Sequence, residues 1–413
     1  MRRDTLWFHP DFRRLWAGDT ISQAGNFVGQ AVIPLLAATV LAATPFQMGL
    51  LTAAENAAFL LIGLPAGVWV DRMRRRPLML RADFARAALL LTVPIAWWAG
   101  VLTLAQLIVV ALLVSVGTVF FDVAYQSYLP SLAGREHLLE GNAKLQASQS
   151  TAQVVGPGLG GGLAQLAGAA NAVLATGLGY LASGLFLLRI KTVEPEPEPH
   201  NGIPLHTRIA EGMRFVFHNP TLRPITLCTA TANLGNTVFQ AMLILFLTRD
   251  LGLGAAAVGA LLTTMGIGGV LGALTAGWWT RRIGQARAIW LVPLLTWPFQ
   301  VLVPLAAPGR RVGLVAVGMT VMTFGVIVYN VAQVSYRQAI CPDRLLGRMN
   351  ATVRFVVWGT MPVGGLIGGG LGEWLGVRGT LWAGCAGLAV PTALLVFSPL
   401  RRMRDVPKEA VYS

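Results

Sequence analysis

The sequence predicts an all-α membrane protein with twelve transmembrane helices in two parallel six-helix repeats. Three observations carry this. Of 413 residues, 54% are hydrophobic and only 12% charged, with a mean hydropathy of +0.61, outside the balance of soluble domains. Apolar windows of about 20 residues, enough to cross roughly 30 Å of hydrocarbon, recur twelve times. The second half of the chain repeats the first at a nearly constant offset.

The windows run 15–41, 46–70, 82–101, 104–126, 145–167 and 170–190, then 224–248, 255–279, 287–307, 312–334, 351–376 and 379–399. The first, after MRRDTLWFHPDFRR, is too long and too polar-faced for a cleaved signal peptide and is expected to remain as a helix. The fifth opens on LQASQSTAQ, polar enough for hydropathy alone to reject, and is kept because the repeat requires it. At an offset of 210, Ile21, Gly25 and Asn26 align with Thr231, Gly235 and Asn236, and GVWVDR from Gly67 aligns with GWWTRR from Gly277. At 208, FDVAYQSY from Phe121 lies on YNVAQVSY from Tyr329, and GGGL from Gly160 on GGGL from Gly368.

Residues 1–190 and 220–400 are therefore expected as two six-helix bundles, with 191–219 as a linker and 401–413 as a tail. The linker's alternating Glu and Pro favour an extended, solvated segment, and Ile209, Met213, Val216 and Phe217 then share one face of a helix expected on the inner membrane surface. The net charge of +14 does not point to nucleic acid, because 28 of the 32 Lys and Arg gather at the amino end, the tail and alternate connections. That places both termini in the cytoplasm. Cys228, Cys341 and Cys385 are scattered and lack metal spacing, which reads as inert packing.

Between the second and third windows stand Gly67, Asp71, Arg72, Arg75 and Arg76, and in the fifth Gly156, Pro157, Gly160 and Gly161. On these motifs the chain resembles the major facilitator superfamily, and within it the twelve-helix drug:proton antiporters near the enterobactin and macrolide exporters. The resemblance implies a cytoplasmic latch for the first motif, with Arg74 in place of a customary glycine, and an exporter's hinge or seal for the second, with Ala152 replacing an upstream glycine. Close packing at glycine and bending at proline give both roles a physical basis, and plain helix packing is the alternative. The arginine that many such antiporters carry in helix 4 is missing between residues 104 and 126, so proton coupling is expected to rest elsewhere.

Helix 1 carries Asp19, Gln23, Asn26 and Gln30 on one face, mirrored in helix 7 by Thr229, Asn233, Asn236 and Gln240. Symmetric polar stripes fit a central substrate cavity, and interhelical glue is the alternative. Asp122, Tyr125 and Gln126, with Asn330, Gln333 and Tyr336, are expected to extend the wall. Glu55, nine residues from Phe46, lies roughly 13 Å deep, near the midplane, where a carboxylate can take a proton from one side and release it to the other. Asp19 is the second such acid. Asp122, eighteen residues from Leu104, lies roughly 27 Å across, at the latch's level, and is read as an ion-pair partner of Arg75 or Arg72, with proton carriage as the alternative.

The sequence therefore predicts a monomeric inner-membrane exporter that works by alternating access, exchanging protons for an amphipathic drug, siderophore or other natural product amid membrane lipid. A proton-coupled importer of a polar nutrient, a lipid flippase, and a scaffold or receptor without transport are the alternatives. No GxxxxGK[ST] loop or Cys/His cluster is present, so neither ATP, a metal nor another cofactor is implied, and no enzymatic chemistry is expected.

Overall fold

The computed structural model describes residues 6–133, 137–192, 194 and 205–405, and these hold helices and no strand. The helices are α1 (Pro10–Thr39), α2 (Pro45–Asp71), α3 (Arg75–Trp98), α4 (Leu104–Ala133), α5 (Leu138–Ala167), α6 (Ala169–Leu188), α7 (Leu205–His218), α8 (Leu222–Leu245), α9 (Ala255–Ile283), α10 (Gln285–Thr296), α11 (Gly313–Ile340), α12 (Asp343–Gly387) and α13 (Ala389–Val396). The twelve expected spans fall on α1–α6, α8, α9, α10 with its 3₁₀ continuation Trp297–Leu302, α11, and α12 and α13, where α12 breaks at Gly376 and carries the eleventh span and the start of the twelfth. Among the described residues, seven helical stretches are long and apolar enough to cross a membrane by length and composition, the longest being Arg348–Val396. The spans that fall short are α1, α3, α5 and α10, three of which carry buried or polar groups that the bundle must satisfy.

The chain folds as two compact units. One comprises Met1–Ala43, Ala54–Asn201 and Leu253–Thr263, and the other Thr44–Ala53, Gly202–Gly252 and Thr264–Ser413. The first has an apolar core at the end of the bundle where α1 begins; there Phe12 and Leu15 of α1 meet Met79 of α3, Tyr128 and Leu129 of α4, and Leu187 of α6. In the second, Trp297, Tyr329, Tyr336 and Leu395 centre the core. Repeat-related turns use repeat-related glycines: Gly168 (φ 85) ends α5 and Gly376 (φ 74) breaks α12, a left-handed backbone that a side chain would strain.

Each unit also caps its third helix from the segment that follows its sixth. Glu194 accepts from the backbone N–H groups of Arg75 and Arg76 (2.8 and 3.1 Å) at the start of α3 and pairs with the Arg75 guanidinium at 3.3 Å. In the second unit Asp405 accepts from Gln285 N–H at 3.0 Å, and the Arg404 carbonyl accepts from Ala286 N–H at the start of α10. Orphan helix-start donors and the positive end of the dipole explain why an acid sits there twice. Asp11 holds the same linker from below, accepting from Lys191 N–H and from the N–H and hydroxyl of Thr192.

The linker helix α7 forms as expected but docks on protein. Val216 is fully buried with Leu222, Met349, Val353 and Val357, and Gly212, one turn earlier, lies against the α12 backbone at Arg348. Met213, one step round the helix, is left exposed, and the Ile209 side chain lies outside the described residues. The face with Gly212 and Val216 therefore meets α12.

Candidate functional site

In the first unit, α1, α3, α4 and α6 converge on a group of charged and aromatic side chains. Asp19 on α1 is 4% exposed, with Gln23 one turn on beside its carboxylate, and it lies within electrostatic reach of Asp122 on α4 and of Asp83 and Arg86 on α3. Asp83 and Arg86 are buried and form an ion pair one turn apart. The Arg86 guanidinium also donates to Thr118 at 3.2 Å and is sandwiched between the Tyr180 ring on α6 and the Phe121 ring on α4, at 4.1 and 4.5 Å from their centroids. Gly117 makes room for it, since a Cβ there would stand 2.8 Å from the Arg86 Cγ. Tyr180 in turn donates to Asn26 of the α1 stripe at 3.2 Å.

Arg86 corrects the charge reading of the sequence: counted among the 28 basic residues at chain ends and connections, it lies within α3 at 3% exposure. The other stripe members divide. Gln23 and Asn26 join the cluster, whereas Gln30 is exposed farther along α1. Glu55 on α2 is half-buried, and among the described residues nothing hydrogen-bonds or ion-pairs with its carboxylate. An unpaired carboxylate at that depth is costly unless water or a proton reaches it.

In the second unit, Thr229 is buried against Tyr329 (2.6 Å between hydroxyls), while Asn233, Asn236, Gln240 and Asn330 are half-buried. Asn233 donates to the Val357 carbonyl at 3.4 Å, and Gln333 to Asn330 at 3.3 Å. Gln333 and Tyr336, expected on the wall, are 3% and 0% exposed; Tyr336 belongs to the core, because its position on α11 faces the chain end at Met403.

The latch motif also requires a correction. Arg75, expected to meet Asp122, pairs with Glu194, because the linker acid lies at the α3 start that Arg75 itself forms. Arg76 reaches the end of α6, donating to the Leu187 and Leu188 carbonyls at 3.1 and 2.9 Å, while Arg72 is exposed. Gly67 and Asp71 belong to the last turns of α2, and their surroundings lie outside the described residues.

The α5 glycines meet two partners. Gly156 and Gly160 face α1 at Phe27 and Val28, and Gly161 meets the α9 backbone at Ala255 and Gly259. Gly158, beside Pro157, faces Thr263. The second unit repeats this with Gly364 and Gly368 on α8 at Leu234 and Val238, and Gly369 against Phe46 and Gly49 of α2. Pro157 sits inside an uninterrupted α5.

Comparison with known proteins gives this arrangement a family. A model described as transmembrane secretion effector, a major facilitator group, matches residues 7–411. The chain belongs to this family. The multidrug efflux pump Tap of Mycolicibacterium fortuitum is 26% identical over 360 residues, 83% of this chain and 85% of Tap. The enterobactin exporter EntS of Escherichia coli (strain SE11) is 26% identical over a 433-residue alignment covering 98% and 96% of the two chains. Among solved structures, the nucleoside transporter NupG superposes with a TM-score of 0.76 at 11% identity (94% of this chain, 98% of that one), and a bacterial homologue of the iron transporter ferroportin, inward-facing, with 0.74 at 14% (94% and 98%). These structures share the fold.

As a major facilitator protein the chain is a non-enzymatic inner-membrane transporter of small molecules. Asp83, Arg86, Tyr180 and Glu194 were not singled out from the sequence. The available signal was an Asp-x-x-Arg step at Asp83 and Arg86 inside an otherwise apolar helix, which puts both charges on one face.

Proposed function

We propose that this transporter is a proton-coupled exporter of amphipathic drugs, siderophores or other natural products, acting as a monomer by alternating access, with both termini in the cytoplasm. The observation that carries the reading is the cluster in the first unit, where buried Asp19 lies within electrostatic reach of Asp122 and of the Asp83–Arg86 ion pair. Carboxylates gathered in a buried region of low dielectric are groups at which a proton can be taken up and released. Asp19 is the first exchanging acid, with Asp122 beside it, while Asp83 is held by Arg86. Glu55, with no partner among the described residues, is the second proton stop. Tap and EntS, similar along most of their length, are an efflux pump and an exporter by name, which favours outward transport.

Gln23, Asn26, Gln30, Asn233, Asn236, Gln240 and Asn330 form the polar part of the substrate path. Gly67, Asp71, Arg72, Arg75 and Arg76 form the cytoplasmic latch, which Glu194 joins. Gly156, Pro157, Gly160 and Gly161 form the hinge of α5. Proteoliposomes test the reading: Asp19→Asn and Glu55→Gln are expected to retain ethidium or macrolide binding while losing acceleration of transport by an imposed pH gradient. If both variants respond to the gradient as wild type does, the proton role of these acids is wrong.

A further inference from the structure

The α1 stripe reaches the buried α3 ion pair through a short chain of contacts. Arg86, held by Asp83 and Thr118, sits over the Tyr180 ring, its Cζ 4.1 Å from the centroid, and over the Phe121 ring at 4.5 Å. A guanidinium between two aromatic faces is bound both by charge and by packing, and it in turn fixes the rings. Tyr180 is 2% exposed, so its hydroxyl has little freedom, and it donates to the Asn26 Oδ1 at 3.2 Å. As it stands, that bond engages the Asn26 Oδ1, and Thr118 is the second partner of the Tyr180 hydroxyl. With Oδ1 engaged as an acceptor, Nδ2 presents two N–H donors, and among the described residues nothing accepts from them.

We propose that Arg86 is a positioning residue for cargo selection: it clamps Tyr180, and Tyr180 holds Asn26 so that the amide Nδ2 offers a donor to an oxygen acceptor on the cargo, a carbonyl, hydroxyl or ether. The inference rests on the reading of the α1 stripe as part of the substrate path. A polar group built to hydrogen-bond one partner discriminates against cargo lacking it, because the group is otherwise left unpaired. Oxygen-rich compounds such as macrolides are therefore favoured over aromatic cations that carry no acceptor oxygen.

The test compares two probes, erythromycin and ethidium, in proteoliposomes of the full chain. Tyr180→Phe keeps the ring and the Arg86 stacking but removes the hydroxyl. It is expected to raise the erythromycin-to-ethidium ratio of KM about five- to tenfold, the worth of one hydrogen bond, with the kcat ratio little changed. Arg86→Lys, which keeps the charge and loses the planar guanidinium, is expected to move the ratio the same way. Asn26→Ala is the companion measurement. If Asn26→Ala shifts the ratio and Tyr180→Phe does not, Asn26 selects without the clamp and the inference is overturned. If Asn26→Ala leaves the ratio at its wild-type value, the stripe is not on the substrate path and both readings fall. A merely structural role predicts a fall in kcat for both probes alike, which also overturns it.

Discussion

Replacing Gly161 by alanine is the sharpest perturbation that the α5 motif allows. The added Cβ would stand 2.5 Å from the Ala255 carbonyl oxygen, 2.7 Å from the Gly259 Cα and 3.0 Å from its nitrogen. All three are backbone atoms, so no side-chain rotation relieves the clash and α5 and α9 must separate. Overpacking of this kind costs about 1 to 3 kcal/mol, which as a bias between two arrangements of a transporter is a factor of roughly 5 to 150. The next residue is a built-in control, because a Cβ on Gly162 meets nothing within 4 Å. The assay is the reactivity of a cysteine at Ala255 toward a water-soluble maleimide, read beside probe efflux. Gly161→Ala is expected to raise labelling severalfold and change efflux, and Gly162→Ala to match the parent. Equal labelling of the two variants would refute the claim that this backbone contact holds α5 on α9. In the second unit Gly369→Ala should act more mildly, its nearest contacts being 2.9 to 3.1 Å, with Gly370→Ala as its silent neighbour.

The helix-start caps give an ordered pair. Glu194→Ala should cost about 1 kcal/mol or more of stability, and Asp405→Ala less, since their side chains are 5% and 62% exposed; a thermal unfolding series in which Asp405→Ala is the more harmful would reverse the argument. Burial disfavours the Asp11 carboxylate, but hydrogen bonds from Thr192, Arg14 and the Lys191 and Thr192 amides outweigh it and hold its pKa below the ordinary 3.8. A lowered folded value stabilises the docked linker above that pH and is lost only as pH falls through it, so linker protection from protease should be flat between pH 7 and 5 in wild type and reduced throughout in Asp11→Asn. Because Arg75 is committed to Glu194, Asp122→Asn and Arg75→Ala should affect transport additively; strong non-additivity in their double mutant would restore the pairing expected from sequence.

What could be read from the chain was what depends on local composition and repetition. Hydropathy marked the most apolar spans, since a helix in lipid is apolar whatever it packs against, and the near-constant offset justified the polar fifth span. The same offset pairs Gly160 with Gly368 and, in space, Val28 with Val238, so the repeat anticipated contacts as well as elements. It did not say that Gly161 and Gly369 would meet α9 and α2, because spacing shows which face is small and not what approaches it. Arg86 was hidden by its place near the start of the expected span at 82, where a basic residue resembles a topology signal, although it stands in the middle of α3; only the converging Asp83, Thr118, Phe121 and Tyr180 distinguish it. Glu194 was hidden in a Glu-Pro run whose composition reads as solvated linker, and its capping bonds to α3 join residues more than a hundred positions apart.

The central claim, that cargo leaves in exchange for protons drawn through the Asp19 cluster, is tested most directly by recording both movements at once. Purified protein is reconstituted with a pH-sensitive dye trapped inside the vesicles, and erythromycin or ethidium flux is followed under an imposed proton gradient. The account predicts that cargo moving one way drives protons the other, that collapsing the gradient slows cargo to its passive rate, and that Asp19→Asn removes the proton signal. Cargo flux that is unchanged when the gradient is collapsed, with no accompanying change in internal pH, would contradict it.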